Sequence, residues 1–398
     1  MTVVQSDISD AARSAARRLA ATSSGARDHA LELIARTVES HSQEIVEANR
    51  ADLAAASGLR SALVDRLTLT DERVAGLAAG VRAVSALPDP LGTVIREFAR
   101  PDGLRVTKLR VPLGVVAIIY EARPNVTTDA AALALKSGNA CILRGSRTAA
   151  QTNRVLVGLV RGAIGESALP ADAVLQLEAD REELAAFVAD PHAADVVIPR
   201  GGEELKAFLL EHSRVPVLAA AGGNNHVYVD ATADADMAEA IVVNAKTQRP
   251  GVCNAAETLL VHRDRGELRD RIGQALEAQG VELVVGEEAW ATEFLDLRMA
   301  VRTVDSLDDA LDHIATYGTG HSEAIVTGDE AAAERFLAEV DAAAVYVNAS
   351  TRFTDGGEFG MGAEMGISTN RLHARGPVAL EELTTSKYVA RGDGQVRR

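Results

Sequence analysis

A chain of 398 residues has the length of two or three domains. Its composition, 47% hydrophobic and 25% charged, is that of an ordinary globular protein, and its formal net charge of -16 argues against binding nucleic acid or an anionic membrane surface. Two cysteines without a CxxC pair give neither a disulfide framework nor a metal site of the zinc type, and no apolar run reaches the length of a membrane span.

The first ten residues, Met1 to Asp10, carry acids where a signal peptide has bases. The Ala- and Arg-rich stretch 11–18 runs straight into helical pattern without a cleavage-like break, so a mature amphipathic helix and a cytoplasmic protein are expected. Residues 7–87 read as helices throughout. Thr70 is placed to cap one of them, with Asp71 and Glu72 in the first turn, where the helix dipole favours acids. Val74, Leu77, Ala78, Val81 and Val84 then form one apolar stripe, a packing layer without chemistry.

The pattern changes after Pro88-Asp-Pro-Leu-Gly92. Leu104–Thr107 and Lys108–Val111 each alternate apolar and polar, as half-exposed strands do, and the slip of phase between them leaves room for a bulge. Such an exposed hairpin suits an arm that reaches a second subunit. Leu113–Tyr120 is a continuous apolar run, a buried strand, and it ends in Glu121-Ala-Arg-Pro-Asn-Val126. Ligands of parallel α/β sheets bind beyond the carboxyl ends of strands, so Arg123 and Asn125 stand where a substrate would meet the sheet. The same residues also suit a helix-entry loop with Pro124 in the first turn.

Residues 127–220 alternate helix and strand: helix 129–136, strand 140–143, helix 148–164, strand 173–177, helix 182–188, strand 195–198, helix 203–212 and strand 216–220. This is a doubly wound nucleotide-binding pattern. It lacks GxGxxG after the first strand and GxxxxGK[ST] throughout. Two strand ends offer substitutes for those loops. Leu143-Arg-Gly-Ser146 puts the fixed cation of Arg144, with Gly145 and the hydroxyl of Ser146, at a carboxyl end. Ile198-Pro-Arg-Gly-Gly-Glu203 puts Arg200, Gly201 and Gly202 at a helix N-terminus, where anions bind. In an acidic chain, arginines that recur at element ends suggest polyanionic ligands.

Pro216–Asp230 is a glycine-rich crossing between apolar strands and reads as a hinge. Asp234–Lys246 follows as a helix with Met237, Ala238, Ile241 and Val242 at helical spacing. Pro250-Gly251 stops it, and Thr258–His262 is a strand. Cys253 therefore lies on a tight turn between helix and strand, with Arg249 and Asn254 close by and Gly251 permitting another group to approach. A thiolate on a rigid turn beside free backbone N–H groups is what covalent attack on an acyl carbon needs. Cys141, inside an apolar run, reads instead as a small buried residue. A second α/β region follows: strand 257–261, helix 266–279, strands 281–285 and 299–304, helix 307–315, strand 323–326, helix 330–339 and strand 343–347. The tail, 385–390, is a short strand able to pair with the hairpin.

The segments Asp65–Thr70, Tyr120–Val126, Lys136–Asn139, Leu143–Gly145, Ile198–Gly202, Asn244–Asn254, Tyr317–Ala324 and Phe359–Arg375 span nearly the whole chain. Together they resemble the gamma-glutamyl phosphate reductase family of the aldehyde dehydrogenase superfamily. The resemblance implies an α/β fold with two doubly wound domains and a small β oligomerisation flap. Residues 1–98 and 114–223 would bind NADPH, 224–384 would be the catalytic domain, and 99–113 with 385–398 the flap of a homo-oligomer. It implies Cys253 as nucleophile, with Asn125 a candidate oxyanion donor. It implies cofactor contacts from Arg144, Gly145, Ser146, Arg200, Gly201, Gly202 and Glu293, and substrate contacts from Arg123, Arg249 and Asn254. Glu364, Arg371 and His373 are further candidates for reading the substrate's polar groups. The implied substrate is L-glutamyl 5-phosphate, in proline biosynthesis, with transient contact to glutamate 5-kinase. Where hydrolytic aldehyde dehydrogenases carry a general-base glutamate, this chain reads Ala219-Ala-Ala-Gly-Gly223, which counts against hydrolysis of a thioester by activated water. A sibling dehydrogenase acting on a different acyl group, and a binding protein on a retired enzyme fold, are the alternatives.

Overall fold

The computed structural model of the chain describes residues 3–56, 58, 61–219 and 222–397. The chain divides into two compact units: residues 1–218, 361–366 and 378–398 in one, and residues 219–360 and 367–377 in the other.

The first unit begins with five helices: α1 (Val3–Leu19), α2 (Ser24–Ser40), α3 (Ser42–Ala55), α4 (Ser61–Leu67) and α5 (Asp71–Ala86). Thr70 caps α5 by accepting the Arg73 N–H at 3.2 Å, and the buried stripe of α5 is Val74, Leu77, Ala78, Val81 and Val84, as its spacing dictates. Two buried cations tie the layer together. Arg27 pairs with Asp89, and Lys136 donates to Asp28 and, at 2.7 Å, to the Ser85 carbonyl.

After a hairpin of β1 (Val94–Ala99) and β2 (Arg105–Pro112) come β3 (Val115–Tyr120), α6 (Asn125–Lys136), β4 (Ala140–Arg144), α7 (Ala150–Gly165), β5 (Val174–Gln176), α8 (Arg181–Val188), β6 (Val196–Arg200) and α9 (Glu203–His212). The parallel sheet has the order β5-β4-β3-β6. All six residues of β3 are buried, because helices cover both of its faces, and this is why it reads as an unbroken apolar run. One side of the sheet packs Val115, Ala117, Ile119 and Ile142 against Phe187, Leu184 and Leu209 from α8 and α9 and against alanines of α1.

Three sequence expectations change here. Residues 104–111 are not two strands but one, β2, and the hairpin partner is β1. Every residue of β1 is exposed and β2 is buried on neither face, so side-chain alternation carried no phase information. The one irregularity lies in β1, between Val94 and Arg96. Helix α6 starts at Asn125 rather than Asp129, since Pro124 has a helical φ of -61° and its carbonyl accepts the Thr127 N–H at 3.1 Å. Residues 216–218 make only a single bridge, Val217 to Val197, rather than a strand. The tail strand forms as expected: Thr384–Arg391 pairs antiparallel with β2 along its whole length, so the three-stranded sheet has β1 at one edge.

The second unit contains β7 (Asn225–Val229), α10 (Ala235–Thr247), β8 (Ala256–His262), α11 (Gly266–Ala278), β9 (Glu282–Val284), β10 (Arg298–Val304), α12 (Leu307–Tyr317), β11 (Ser322–Val326), α13 (Glu330–Glu339) and β12 (Ala344–Val347). Its sheet is parallel with the order β12-β11-β7-β8-β10-β9, a doubly wound arrangement that reverses between β7 and β8. Helices α10 and α11 cover one face with Ala238, Val242, Ile272 and Leu276, and α12 and α13 cover the other with Ala310, Ile314 and Phe336. On α10 the buried stripe is Ala238, Val242, Ala245 and Lys246, whereas Met237 is on the surface. No helix of the described residues is long and apolar enough to cross a membrane.

Candidate active site

Asp234 caps α10 by accepting the Met237 N–H at 2.9 Å, and the helix stops at Thr247, three residues before Pro250. The chain then turns through Arg249–Ala255 and enters β8. Cys253 is exposed on this turn, while Cys141 is fully buried in β4 and burial pushes its thiol up to about 12. The two cysteines thus have the contrasting environments expected of them.

The turn is held from three sides. The backbone of Gly223 lies so close that a Cβ there would overlap the carbonyl oxygen of Cys253. Asn225, wholly buried at the start of β7, donates its amide to the carbonyls of Cys253 and Ala255, each at 2.7 Å, and accepts the Ser322 N–H at 3.1 Å. Asn254 donates to the carbonyls of Thr354 at 2.9 Å and Arg352 at 3.3 Å, and its own carbonyl accepts from Thr351 Oγ1 at 2.8 Å. Its side-chain N–H groups are thus spent within the fold, whereas its backbone N–H has no acceptor among the described residues.

Beneath the turn lies a buried ion pair. Lys246 Nζ, at the end of α10, is 2.7 Å from Glu257 Oε2 at the start of β8, and both side chains are inaccessible to solvent. Burial pushes Glu257 up to about 7 and Lys246 down, against their mutual attraction. Glu257 also accepts the Leu295 N–H at 3.2 Å, fixing a residue with a φ of 52°. Two residues earlier in the sequence, Glu293 Oε1 accepts the Gly223 N–H at 2.6 Å. The glutamate singled out as a cofactor contact therefore touches the glycine that abuts Cys253.

Two guanidinium groups belong to the surroundings of the cysteine turn. Arg249 is exposed, and Arg352, half-buried, donates Nε to Gln248 Oε1 at 2.8 Å. Burial, and after it the charge of Arg249, weakens Arg352's hold on its proton; the Cys253 thiolate, Asp355 and Glu358 act in the opposite sense. Neither arginine forms an ion pair among the described residues. Sequence reasoning found Arg249 but missed Arg352, which is brought to the cysteine turn by the Asn254 bonds to the carbonyls of residues 352 and 354.

In the first unit the candidate ligand residues cluster at strand ends. Arg144, at the end of β4, donates Nη2 to the Ala179 carbonyl at 3.0 Å, and its buried Nε has no partner among the described residues. Burial and then the nearby Arg147 lower its affinity for its proton, with Asp180 opposing. Ser146 Oγ accepts the Thr148 N–H at 3.1 Å, capping a short turn, and a Cβ on Gly145 would collide with the Asn153 side chain. At the end of β6, the Gly202 N–H donates to Glu121 Oε2 at 3.0 Å, and a Cβ on Gly201 would come within 2.7 Å of the same carboxylate. The helix N-terminus expected to receive a ligand anion thus already holds one of the chain's own carboxylates. Arg200 lies under Gly366, whose φ is 136°, and near Asp129.

An aldehyde dehydrogenase family model matches residues 4–294. A gamma-glutamyl phosphate reductase of Moorella thermoacetica is 51% identical over 97% of both chains, and one of Thermobifida fusca is 49% identical over the full length of both. The crystal structure of gamma-glutamyl phosphate reductase from Thermotoga maritima covers 99% of this chain and 100% of its own, at 43% identity and a TM-score of 0.97.

The chain belongs to the aldehyde dehydrogenase family, among its gamma-glutamyl phosphate reductases. As an oxidoreductase of that family it has the expected α/β architecture. In the second unit the structure gathers Cys253, Asn254, Arg249 and Glu293 within one network. In the first it gathers Arg123, Asn125 and Arg200 around the β3 and β6 ends, and Arg144, Gly145 and Ser146 at β4. Asn125 donates to Asp129 Oδ2 at 3.0 Å from the first turn of α6, and half-buried Arg123 precedes that helix. The further candidates are divided, with Glu364 in the first unit and Arg371 and His373 in the second, where Arg371 pairs with Asp341. Of the stretch that lacks a general-base carboxylate, Ala220 and Ala221 lie outside the described residues.

Proposed function

We propose that the chain reduces L-glutamyl 5-phosphate to L-glutamate 5-semialdehyde with NADPH, the second step of proline biosynthesis from glutamate. The observation that carries this reading is an exposed cysteine on a turn fixed by Gly223, Asn225 and Asn254, with Arg249 and Arg352 in its surroundings, in a chain about half identical to proteins named for this reaction. The Cys253 thiolate attacks the acyl carbon, the S–C bond forms, the C–O bond breaks, and the electron pair leaves with phosphate. The backbone N–H of Asn254, without an acceptor among the described residues, stabilises the oxyanion. When bound, NADPH supplies the hydride that takes the thioester to the aldehyde level. The resulting hemithioacetal then collapses, and Cys253 is returned as the thiol.

The residues at the β4 end fit a phosphate-bearing cofactor: Arg144 and Arg147 repel each other, and the buried Arg144 Nε lacks an acceptor among the described residues. They would hold the cofactor's phosphate, with Ser146 beside them. The Gly202 N–H fits less well, being already bonded to Glu121. The exposed, partly apolar strand β1, with Val94, Ile95 and Phe98 on the surface, supports a role for the three-stranded sheet in homo-oligomer contacts.

The test is the reverse reaction with purified protein, glutamate 5-semialdehyde, NADP+ and phosphate, followed by NADPH formation. Activity that requires both phosphate and Cys253 is expected. Turnover without phosphate, or undiminished turnover by Cys253→Ala, would refute the mechanism.

A further inference from the structure

We infer that Arg249 and Arg352 together form the seat of the substrate's phosphoryl group, on the leaving-group side of Cys253. This assignment rests on the reductase reading and gives it a recognition site. Four observations carry it. One arginine precedes the cysteine turn in sequence, and the other is tied to it by the Asn254 side chain, which donates to the Arg352 carbonyl, and by Gln248. Arg249 lies close enough to raise the cost of the charge on Arg352, with the Cys253 thiolate, Asp355 and Glu358 acting in the opposite sense. Among the described residues neither is ion-paired to a carboxylate, Asp355 and Glu358 acting on Arg352 only from beyond ion-pair distance, in a chain with 57 acidic against 41 basic residues. Finally, Gln248 fixes the Arg352 side chain through Nε at 2.8 Å and leaves both Nη groups without acceptors among the described residues. A planar fork held at its base with its two tips open suits two oxygens of one phosphate.

The alternative anion is the amino acid's α-carboxylate. Bond connectivity favours phosphate: phosphorus is two bonds from the carbon that Sγ attacks, whereas the α-carboxylate carbon is four bonds away. As the C–O bond breaks, negative charge grows on the departing phosphate, and the two guanidiniums meet it there. In the reverse direction the same seat presents inorganic phosphate to the thioester, whose C–S bond breaks as the new C–O bond forms.

Two measurements test this. In the reverse reaction of the full chain, Arg352→Gln should raise the KM for phosphate about ten- to hundredfold, as for loss of a hydrogen bond to a charged group. The KM for the aldehyde should stay within about threefold, and Arg352→Lys should recover part of the loss. Independently of turnover, inorganic phosphate should saturably slow alkylation of Cys253 by iodoacetamide in the unmodified protein, read by mass spectrometry. Glutamate should not, and Arg249→Gln or Arg352→Gln should weaken the protection. An unchanged phosphate KM in an active Arg352→Gln enzyme would overturn the assignment, as would protection by glutamate rather than phosphate. If the unmodified protein turns over no semialdehyde at all, the reductase reading fails, and the alkylation measurement still decides whether the arginines seat a phosphate.

Discussion

Gly223 and Cys253 touch backbone to backbone, the cysteine carbonyl oxygen occupying the space where any other residue at 223 would place its Cβ. The side of the turn facing Gly223 has no slack. Gly223→Ala should therefore displace Cys253 by a large fraction of an ångström. Misplacement on that scale costs about a hundredfold in rate, and the overpacking should cost about 1–3 kcal/mol of stability. Steady-state kinetics and urea unfolding of the same variant check both. Unimpaired turnover would show that the turn relaxes freely.

The Lys246–Glu257 pair closes the loop that carries Cys253, and its two members should behave asymmetrically on mutation. Lys246→Met alone leaves a buried carboxylate without its cation and should destabilise the protein by about 3–5 kcal/mol. The double change Lys246→Met with Glu257→Leu should recover much of that loss, since apolar groups of similar volume need no pairing. Restored stability without restored kcat in the double variant would separate the pair's contribution to folding from its contribution to holding residues 293–295 and the turn.

At the β4 end, the discrimination between cofactors should reside in charge. Arg144→Gln and Arg147→Gln should each raise the KM for NADPH about tenfold or more while leaving that for NADH nearly unchanged, because only the former carries the additional phosphate. Equal effects on both cofactors would assign the arginines to the shared pyrophosphate or to structure.

Asp129 gives a prediction in pH. Burial pushes its carboxyl up to about 6, with the Asn125 amide and Arg200 pulling the other way. The unfolded value is about 3.9. A raised folded pKa means that the folded state holds the proton more tightly, so this contribution is complete below about pH 4 and is lost as the pH rises through about 6. Two pKa units correspond to about 3 kcal/mol. The carboxylate keeps some solvent access, so the measured change should be smaller. Asp129→Asn should flatten the stability profile between about pH 4 and 6 in urea unfolding. A profile identical to that of the unaltered chain would place the titration elsewhere.

Much of this was legible in the amino-acid order because the physics is local. The five apolar residues of α5 recur with the helical period behind a threonine cap, and β3 is apolar throughout because it is covered on both faces. The Cys253 turn announces itself through Pro250-Gly251. The illegible parts are those where position depends on distant chain. Nothing in Val94–Ala99 alternates between core and solvent, so β1 gave no strand signal. Arg352 lies 99 residues beyond Cys253 and is brought to the cysteine turn by the Asn254 bond to its carbonyl. Glu121 sits in a segment recognisable as a ligand-facing loop, but that its carboxylate caps α9 depends on the register of β3 against β6.

The contrast between the two thiols carries a consequence for oxidative damage. Peroxide converts an exposed cysteine to the sulfenic acid, which is rescued fastest when a second thiolate in the same chain condenses with it. Here the only other cysteine is sealed in β4 and held protonated far above neutral pH. An oxidised Cys253 therefore has no internal resolving partner. Its recovery depends on a small external thiol arriving before a second equivalent of oxidant carries it to the irreversible sulfinic state.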